Sequence, residues 1–141
     1  MTDSDTGKPL PVPADRGRTS IADGVVEKIA GLAAREVPGV HAMGGGLART
    51  LGAVRDRVPG GSAKSVSRGV KAEVGEFQTA LDLDLVVDYG VSIRDVARAV
   101  RENVVAEVER MTGLEVVEVN VAVTDVKLPD DEDEGPETRL Q

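Results

Sequence analysis

The sequence predicts a single α+β domain. It reads as a small antiparallel or mixed sheet of three to four strands with two main helices on one face, in the order α-β-(basic insert)-β-β-α-β. Three observations support this. Two segments repeat apolar residues at helical spacing. Three others alternate apolar and polar residues with period two. The chain has 141 residues, enough for one core but not two.

Residues 1–18 place Pro9, Pro11 and Pro13 among polar residues and read as a disordered arm. The domain itself is expected over 19–126. A first helix is predicted from Ser20 to Glu36. Thr19 or Ser20 is its candidate N-cap, with Asp23 completing a capping-box-like pattern. Val25, Val26, Ile29, Leu32 and Ala33 form its apolar stripe, and Pro38-Gly39 ends it. Val40–Met43 is a short first strand.

Residues 44–69 change character. Gly44-Gly45-Gly46 opens the segment and Pro59-Gly60-Gly61 interrupts it. Leu47, Leu51, Val54 and Val58 fit a short amphipathic helix. Arg49, Arg55, Arg57, Lys64 and Arg68 against Asp56 make this insert a basic island of charge +4.

Val70–Val74 is the next strand, with Val70, Ala72 and Val74 on one face. Gly75-Glu76 turns the chain into a longer strand, Gln78–Tyr89. There Leu81, Leu83, Leu85, Val87 and Tyr89 alternate with Asp82, Asp84, Val86 and Asp88, as in a half-buried antiparallel strand. Ser92 caps a second helix running to Met111, about 30 Å long at 1.5 Å per residue. Ile93, Val96, Ala97, Val100, Val104, Val108 and Met111 line its inner face, and Thr112-Gly113 stops it. The last strand, Leu114–Val126, presents Val117, Val119, Val121 and Val123 on one side. Glu118, Asn120 and Thr124 face the other. Asp82, Asp84, Glu118 and Asn120 are therefore expected on the open face of the sheet. Residues 127–141 carry six acids and read as a solvated, disordered tail.

Composition excludes several kinds of chemistry. Cysteine is absent, which removes disulfides, thiolate catalysis and Cys-based zinc sites. His41 is the only histidine, so a two-His metal site cannot form. The net charge is −8, and a surface of that sign repels phosphate, which makes free nucleic acid an unfavourable partner. No secretory leader precedes the domain, and no run of about 18 apolar residues spans a membrane. A cytoplasmic location is the expectation.

The remaining candidate sites weigh lightly. Asp82, Asp84 and Asp88, with Glu73, could hold Mg²⁺ or Ca²⁺ only if they converged, and alternation alone explains their positions. Gly60-Gly61-Ser62-Ala63-Lys64-Ser65 lacks the glycine that precedes the lysine of a phosphate loop. His41 has no nucleophile elbow to serve. An acid pair for glycoside chemistry lacks an aromatic platform, because Phe77 and Tyr89 are the only aromatics. A KH-type RNA module would need a Gly-x-x-Gly loop on a basic surface. No catalytic residue, cofactor or metal is expected. The basic insert is the sharpest signal. Arg49, Arg55, Arg57, Lys64 and Arg68 are candidate interaction residues for an anionic membrane, nucleic acid or the chain's own acidic tail. An ordinary amphipathic helix docked on the sheet accounts for the same pattern.

Four ordered motifs point further. Ile21-Ala22-Asp23-Gly24-Val25-Val26 leads to Ile29-Ala30-Gly31-Leu32-Ala33-Ala34-Arg35-Glu36-Val37-Pro38-Gly39-Val40. Then come Gly69-Val70-Lys71-Ala72-Glu73-Val74-Gly75-Glu76 and Val87-Asp88-Tyr89-Gly90-Val91-Ser92-Ile93. The last runs from Met111-Thr112-Gly113-Leu114 through Glu115-Val116-Val117-Glu118-Val119-Asn120-Val121. Over about 20–126 the chain resembles the alkaline shock protein / general stress protein family of Gram-positive bacteria. Gly24 stands where an acidic residue is common in that family. The resemblance implies a non-enzymatic envelope stress response protein. It implies a cytoplasmic scaffold or adaptor that self-associates, or is held at the inner membrane by a separate membrane-anchoring protein. It supplies no catalytic residue to carry over. The rival expectation is a nucleic-acid or anionic-lipid binder acting through 44–69. A small-molecule-binding regulatory domain is a third.

Overall fold

A computed structural model describes residues 9–44 and 68–130. Pro13–Asp15 makes one 3-10 turn in an exposed lead-in, closed by Arg16 Nε donating to the Pro11 carbonyl at 2.7 Å. The first helix, α1, spans Asp23–Arg35 and starts three residues later than expected. Its N-cap is Ala22, with no side-chain cap, rather than Thr19 or Ser20. Ile21 packs against the core, which keeps the chain extended past both hydroxyl residues. Asp23 then sits in the first turn, where its charge complements the helix dipole.

The inner face of α1 also differs from the expected stripe. Val26, Ala30, Ala33 and Ala34 are buried, whereas Val25 and Leu32 are exposed. Small side chains on the inner face allow the second helix to approach closely. Asn103 on that helix donates from Nδ2 to the Ala33 carbonyl at 2.7 Å.

β1 (Val40–Met43), β2 (Val70–Val74), β3 (Gln78–Asp88) and β4 (Glu115–Lys127) form one mixed sheet. β3 is its centre. β1 and β2 both run antiparallel to β3, and they lie end to end along the same edge. Met43 pairs with Leu85 and Val70 pairs with Leu83. The one position between them, opposite Asp84, is shared by two glycines. Gly44 N donates to the Asp84 carbonyl at 2.7 Å, and Asp84 N donates to the Gly69 carbonyl at 2.8 Å. A Cβ on Gly69 would stand 2.5 Å from Gly44 N, so only glycine fits. β1 and β2 are thus two halves of one strand, from which the basic insert departs at its midpoint.

The second helix, α2, spans Ile93–Thr112 with Ser92 as N-cap, although the Ser92 side chain makes no cap hydrogen bond. Gly113, in the left-handed conformation at φ 76°, ends α2, and its N–H donates to the Glu109 carbonyl at 2.9 Å. Val96, Val100, Val104 and Val108 are buried, three of them completely. Each fully buried valine contributes roughly 1.5–3 kcal/mol. Ile93 and Met111, expected on the same face, are exposed at the two ends. After the two-residue link, β4 pairs with β3 in parallel.

Along β3, Thr79, Leu81, Leu83, Leu85 and Val87 are all buried on the helix side, as the alternation predicts. The Thr79 hydroxyl donates to the Glu73 carbonyl, which satisfies the one buried polar side chain among the described residues. Tyr89 lies beyond the strand and is 65% exposed. β4 departs from simple alternation twice. The register shifts between Thr79 and Ala80, and again between Leu85 and Val86. These shifts skip Val117 and Thr124, leaving Val117 51% exposed and placing Val116, Val119, Val121, Val123 and Val126 toward the core.

The register makes a sharp prediction. Val117→Lys should change stability by no more than about 0.5 kcal/mol, whereas Val119→Lys should cost about 3 kcal/mol or more. Urea unfolding of the two variants checks it, and equal losses would contradict the bulge. Gly69→Ala should cost about 2 kcal/mol or more, because backbone must move. Deleting 45–69 should leave a cooperative thermal transition, with Gly44 alone pairing with Asp84.

Candidate interaction site

The carboxylates expected on the open face are there, and Asp82 and Glu118 are engaged with a neighbour. Asn120 on β4 donates from Nδ2 to Asp82 Oδ1 at 3.0 Å and to Glu118 Oε2 at 2.8 Å. One amide thus ties two like charges on adjacent strands. Lys71 lies opposite Asp82 in the β2–β3 register. Asp88 lies 3.4 Å from His41 Nδ1, so the single histidine sits beside a carboxylate rather than a nucleophile. Among the described residues, no three His, Asp or Glu side chains converge on a point that could hold a metal ion. Val86 belongs to this open face, since it pairs with Ala42 and Asp125, yet it is only 1% exposed.

Two open grooves lie among the described residues. One groove of about 420 Å³ lies between the end of α1 and the flank of α2, lined by Glu36, Val37, Pro38, Ala99, Glu102 and Asn103. Another, of about 520 Å³, follows the β2–β3 hairpin from Glu73 to Ala80. Both are open, and neither contains a nucleophile beside a base.

The edges of the sheet carry the more informative chemistry. An edge strand leaves a row of unpaired N–H and C=O groups. Three helix side chains reach over to pair some of them. Glu27 on α1 accepts from Ala72 N at 3.1 Å on the β2 edge. On the β4 edge, Glu109 accepts from Val116 N at 3.0 Å, and Arg101 Nε donates to the Val119 carbonyl at 3.1 Å. Farther along, Asp125 Oδ1 accepts from Val126 N at 2.8 Å. By alternation from Val119, the backbone groups of Val121 and Val123 also point outward, and β4 pairs with β3 only.

Exposed apolar side chains gather at the two ends of the sheet. Glu115 N bonds the Phe77 carbonyl, so Phe77, 72% exposed, lies beside the start of β4. At the other end Tyr89 N bonds the Lys127 carbonyl, which brings Tyr89 next to Leu128. The two aromatics of the chain thus mark opposite ends of β3, both in solvent.

Residues 12–128 match the Asp23 family, described as having a cell envelope-related function. The chain belongs to the Asp23 family. The name coincides only by chance with the aspartate that opens α1. Similar proteins include stress response regulator gls24 homologs of Streptococcus pyogenes serotypes M1 and M3. They are 40% identical over 114 residues, covering 81% of this chain and 61% of theirs. The chain therefore spans about three-fifths of those relatives. The uncharacterized protein YqhY of Bacillus subtilis is 35% identical over 111 residues, covering 79% of this chain and 78% of its own. No solved structure matches the chain.

Of the candidate interaction residues, Arg49, Arg55, Arg57 and Lys64 lie outside the described residues of this Asp23-family chain. Arg68 stands at the foot of the insert, half-buried, with its Nε sealed from solvent. Sequence reasoning missed Glu27, Arg101, Glu109 and Asn103. Each acts on a backbone group that only the tertiary arrangement brings near. Among the described residues, no helix is long and apolar enough to cross a membrane.

Replacing both Arg101 and Glu109 by Ala should cost about 1 kcal/mol per lost hydrogen bond. It should also raise concentration-dependent self-association, because the bared edge is then longer. Urea unfolding and sedimentation velocity read the two effects. A variant that loses stability but stays monomeric at every concentration would show that these side chains do not guard the edge.

Proposed function

We propose that this chain is a non-enzymatic envelope stress response protein, a cytoplasmic scaffold or adaptor. In this reading it self-associates or binds a membrane-anchoring partner at the inner face of the membrane. The observation that carries it is where unsatisfied surface lies. Exposed Phe77 and Tyr89 stand at the two ends of the sheet with exposed aliphatics, and among the described residues the outer edge of β4 between them has no neighbouring strand. Such surface suits another polypeptide. The open-face acids, by contrast, are tied to Asn120 and His41 rather than aimed at a pocket. The stress response regulators among its relatives and the envelope-related family support the same role.

A second reading has its own support. The insert leaves the sheet between Gly44 and Gly69, and its sequence carries five bases against one acid. It would then contact anionic lipid or nucleic acid, without a membrane partner.

One experiment separates the two. The intact protein and an Arg49→Gln/Arg55→Gln/Arg57→Gln variant are purified from native cells with and without membranes. The scaffold reading expects the same co-purifying proteins with both, and no pelleting of pure protein with anionic vesicles. Pelleting that falls steeply with salt and disappears in the variant would replace it with the second reading.

A further inference from the structure

The outer surface of the helix layer carries opposite charges on its two halves. Val25, Lys28, Leu32 and Arg35 of α1 follow one another at three- and four-residue spacing, so they share one helix face. That face is turned away from the buried Val26, Ala30 and Ala33. All four side chains are exposed, the two aliphatics by 47% and 52%. On α2, Glu102, Ala106 and Glu109 share the face opposite the buried Val100, Val104 and Val108, and all three are exposed. Thus α1 presents aliphatics between bases, and α2 presents a small side chain between acids. The arginines beside the acidic row are already paired. Arg98 lies 3.9 Å from Asp95, and Arg110 lies 2.6 Å from Glu107. Glu109 spends one carboxylate oxygen on Val116 N and keeps its charge. Among the described residues, the side chains of Lys28 and Glu102 make no hydrogen bond or ion pair.

The two rows are also in step. Val40, just after α1, pairs with Val87, and α2 begins just after β3 leaves that same end of the sheet, so the helices are antiparallel. Asn103 sets their levels, because its Nδ2 lies 2.7 Å from the Ala33 carbonyl oxygen and 3.4 Å from Glu36 Oε1. The rise per residue is the same on both helices. Counting outward from that contact, Arg35 is level with Glu102, Leu32 with Ala106 and Lys28 with Glu109. A two-fold axis along the groove between the helices keeps every level and exchanges the two halves. Each α1 then lies over the α2 of the other copy. Arg35 meets the partner's Glu102, Leu32 the partner's Ala106, and Lys28 the partner's Glu109. A surface that matches itself in this way is what a two-fold dimer requires. A two-fold axis at right angles to the helices would instead lay α1 on α1 and base on base, which repels. We propose that a second copy of this chain docks on the helix layer, α1 over α2, through the Val25 and Leu32 stripe and the Arg35–Glu102 and Lys28–Glu109 charge pairs. The proposal rests on the self-association reading above and gives it a surface away from the β4 edge.

Sedimentation velocity of the full-length chain, over a wide concentration range at low ionic strength, tests it. The wild type should dimerise, and less so as salt is added. Arg35→Glu alone and Glu102→Arg alone should each weaken the dimer about tenfold or more, because each sets like charges face to face at two symmetric contacts. An equimolar mixture of these two variants should recover the wild-type dimer, since both contacts then join opposite charges. Leu32→Asp, at an exposed position, should abolish the dimer while melting close to the wild-type temperature, and it decides the matter if a charge variant fails to fold. A dimer that persists unchanged in Leu32→Asp overturns the proposal and leaves self-association to another surface. Weakening in the single variants without recovery in the mixture overturns it as well. A wild type that stays monomeric at every concentration overturns the self-association reading together with the proposal.

Discussion

β3 is paired along both of its edges, and among the described residues no strand of this sheet pairs with anything else. One edge takes all of β4. The other takes β1 and β2 in turn, with Asp84 holding the two glycines at their junction. Much follows from this. The five buried side chains on the helix side of β3 set the plane against which both helices pack. The outer strands become edges by default, and each edge must then be managed separately. A chain poor in aromatics builds its core from Val, Leu and Ala, so close packing does what bulk cannot. The inward Ala30, Ala33 and Ala34 of α1 let the helices approach until Asn103 meets a backbone carbonyl.

Much of this was legible in the sequence. The period-two run through β3 shows its buried face residue by residue. The valines of α2 show its inner stripe, and the Thr112-Gly113 stop falls where the helix ends. The misreadings have a common cause. Val117 and Tyr89 fit the alternation, but a register shift and a strand end turn them outward. Both depend on the neighbouring strand, which no local pattern encodes. Val25 and Leu32 fit a helical stripe as well as Ala30 and Ala34 do. Choosing between them requires knowing how closely α2 approaches. The direction of β4 was open for the same reason, since alternation looks identical in parallel and antiparallel strands. The capping residues Glu27, Arg101 and Glu109 were illegible because charged side chains on helices usually serve only solubility. The basic insert was the clearest signal in the sequence, yet four of its five bases lie outside the described residues.

The charges fall into two groups with different tasks. On the open face, carboxylates on neighbouring strands are kept compatible by one amide, by Lys71 and by His41. These contacts keep an acidic face soluble without aiming it at a ligand. At the edges, charged side chains bond directly to backbone, where a charged partner strengthens each hydrogen bond. The protein therefore spends its edge charges on preventing indiscriminate strand pairing. Capping of this kind is one of the ways natural sheets blunt an edge strand.

The parallel pairing of β3 with β4 is the feature that joins fold to function. A parallel neighbour demands a crossover, and α2 supplies it, lying antiparallel to β4 along its whole course. The same helix that buries four valines therefore also presents a charged flank to the free edge. Near the start of β4, Glu109 and Arg101 close that edge. Farther along, no helix side chain among the described residues is seen to bond the β4 backbone. A hairpin in place of the crossover would have left β4 without this escort, and a shorter helix would have ended the escort sooner. The length of α2 relative to β4 thus sets how much of that edge helix side chains can reach.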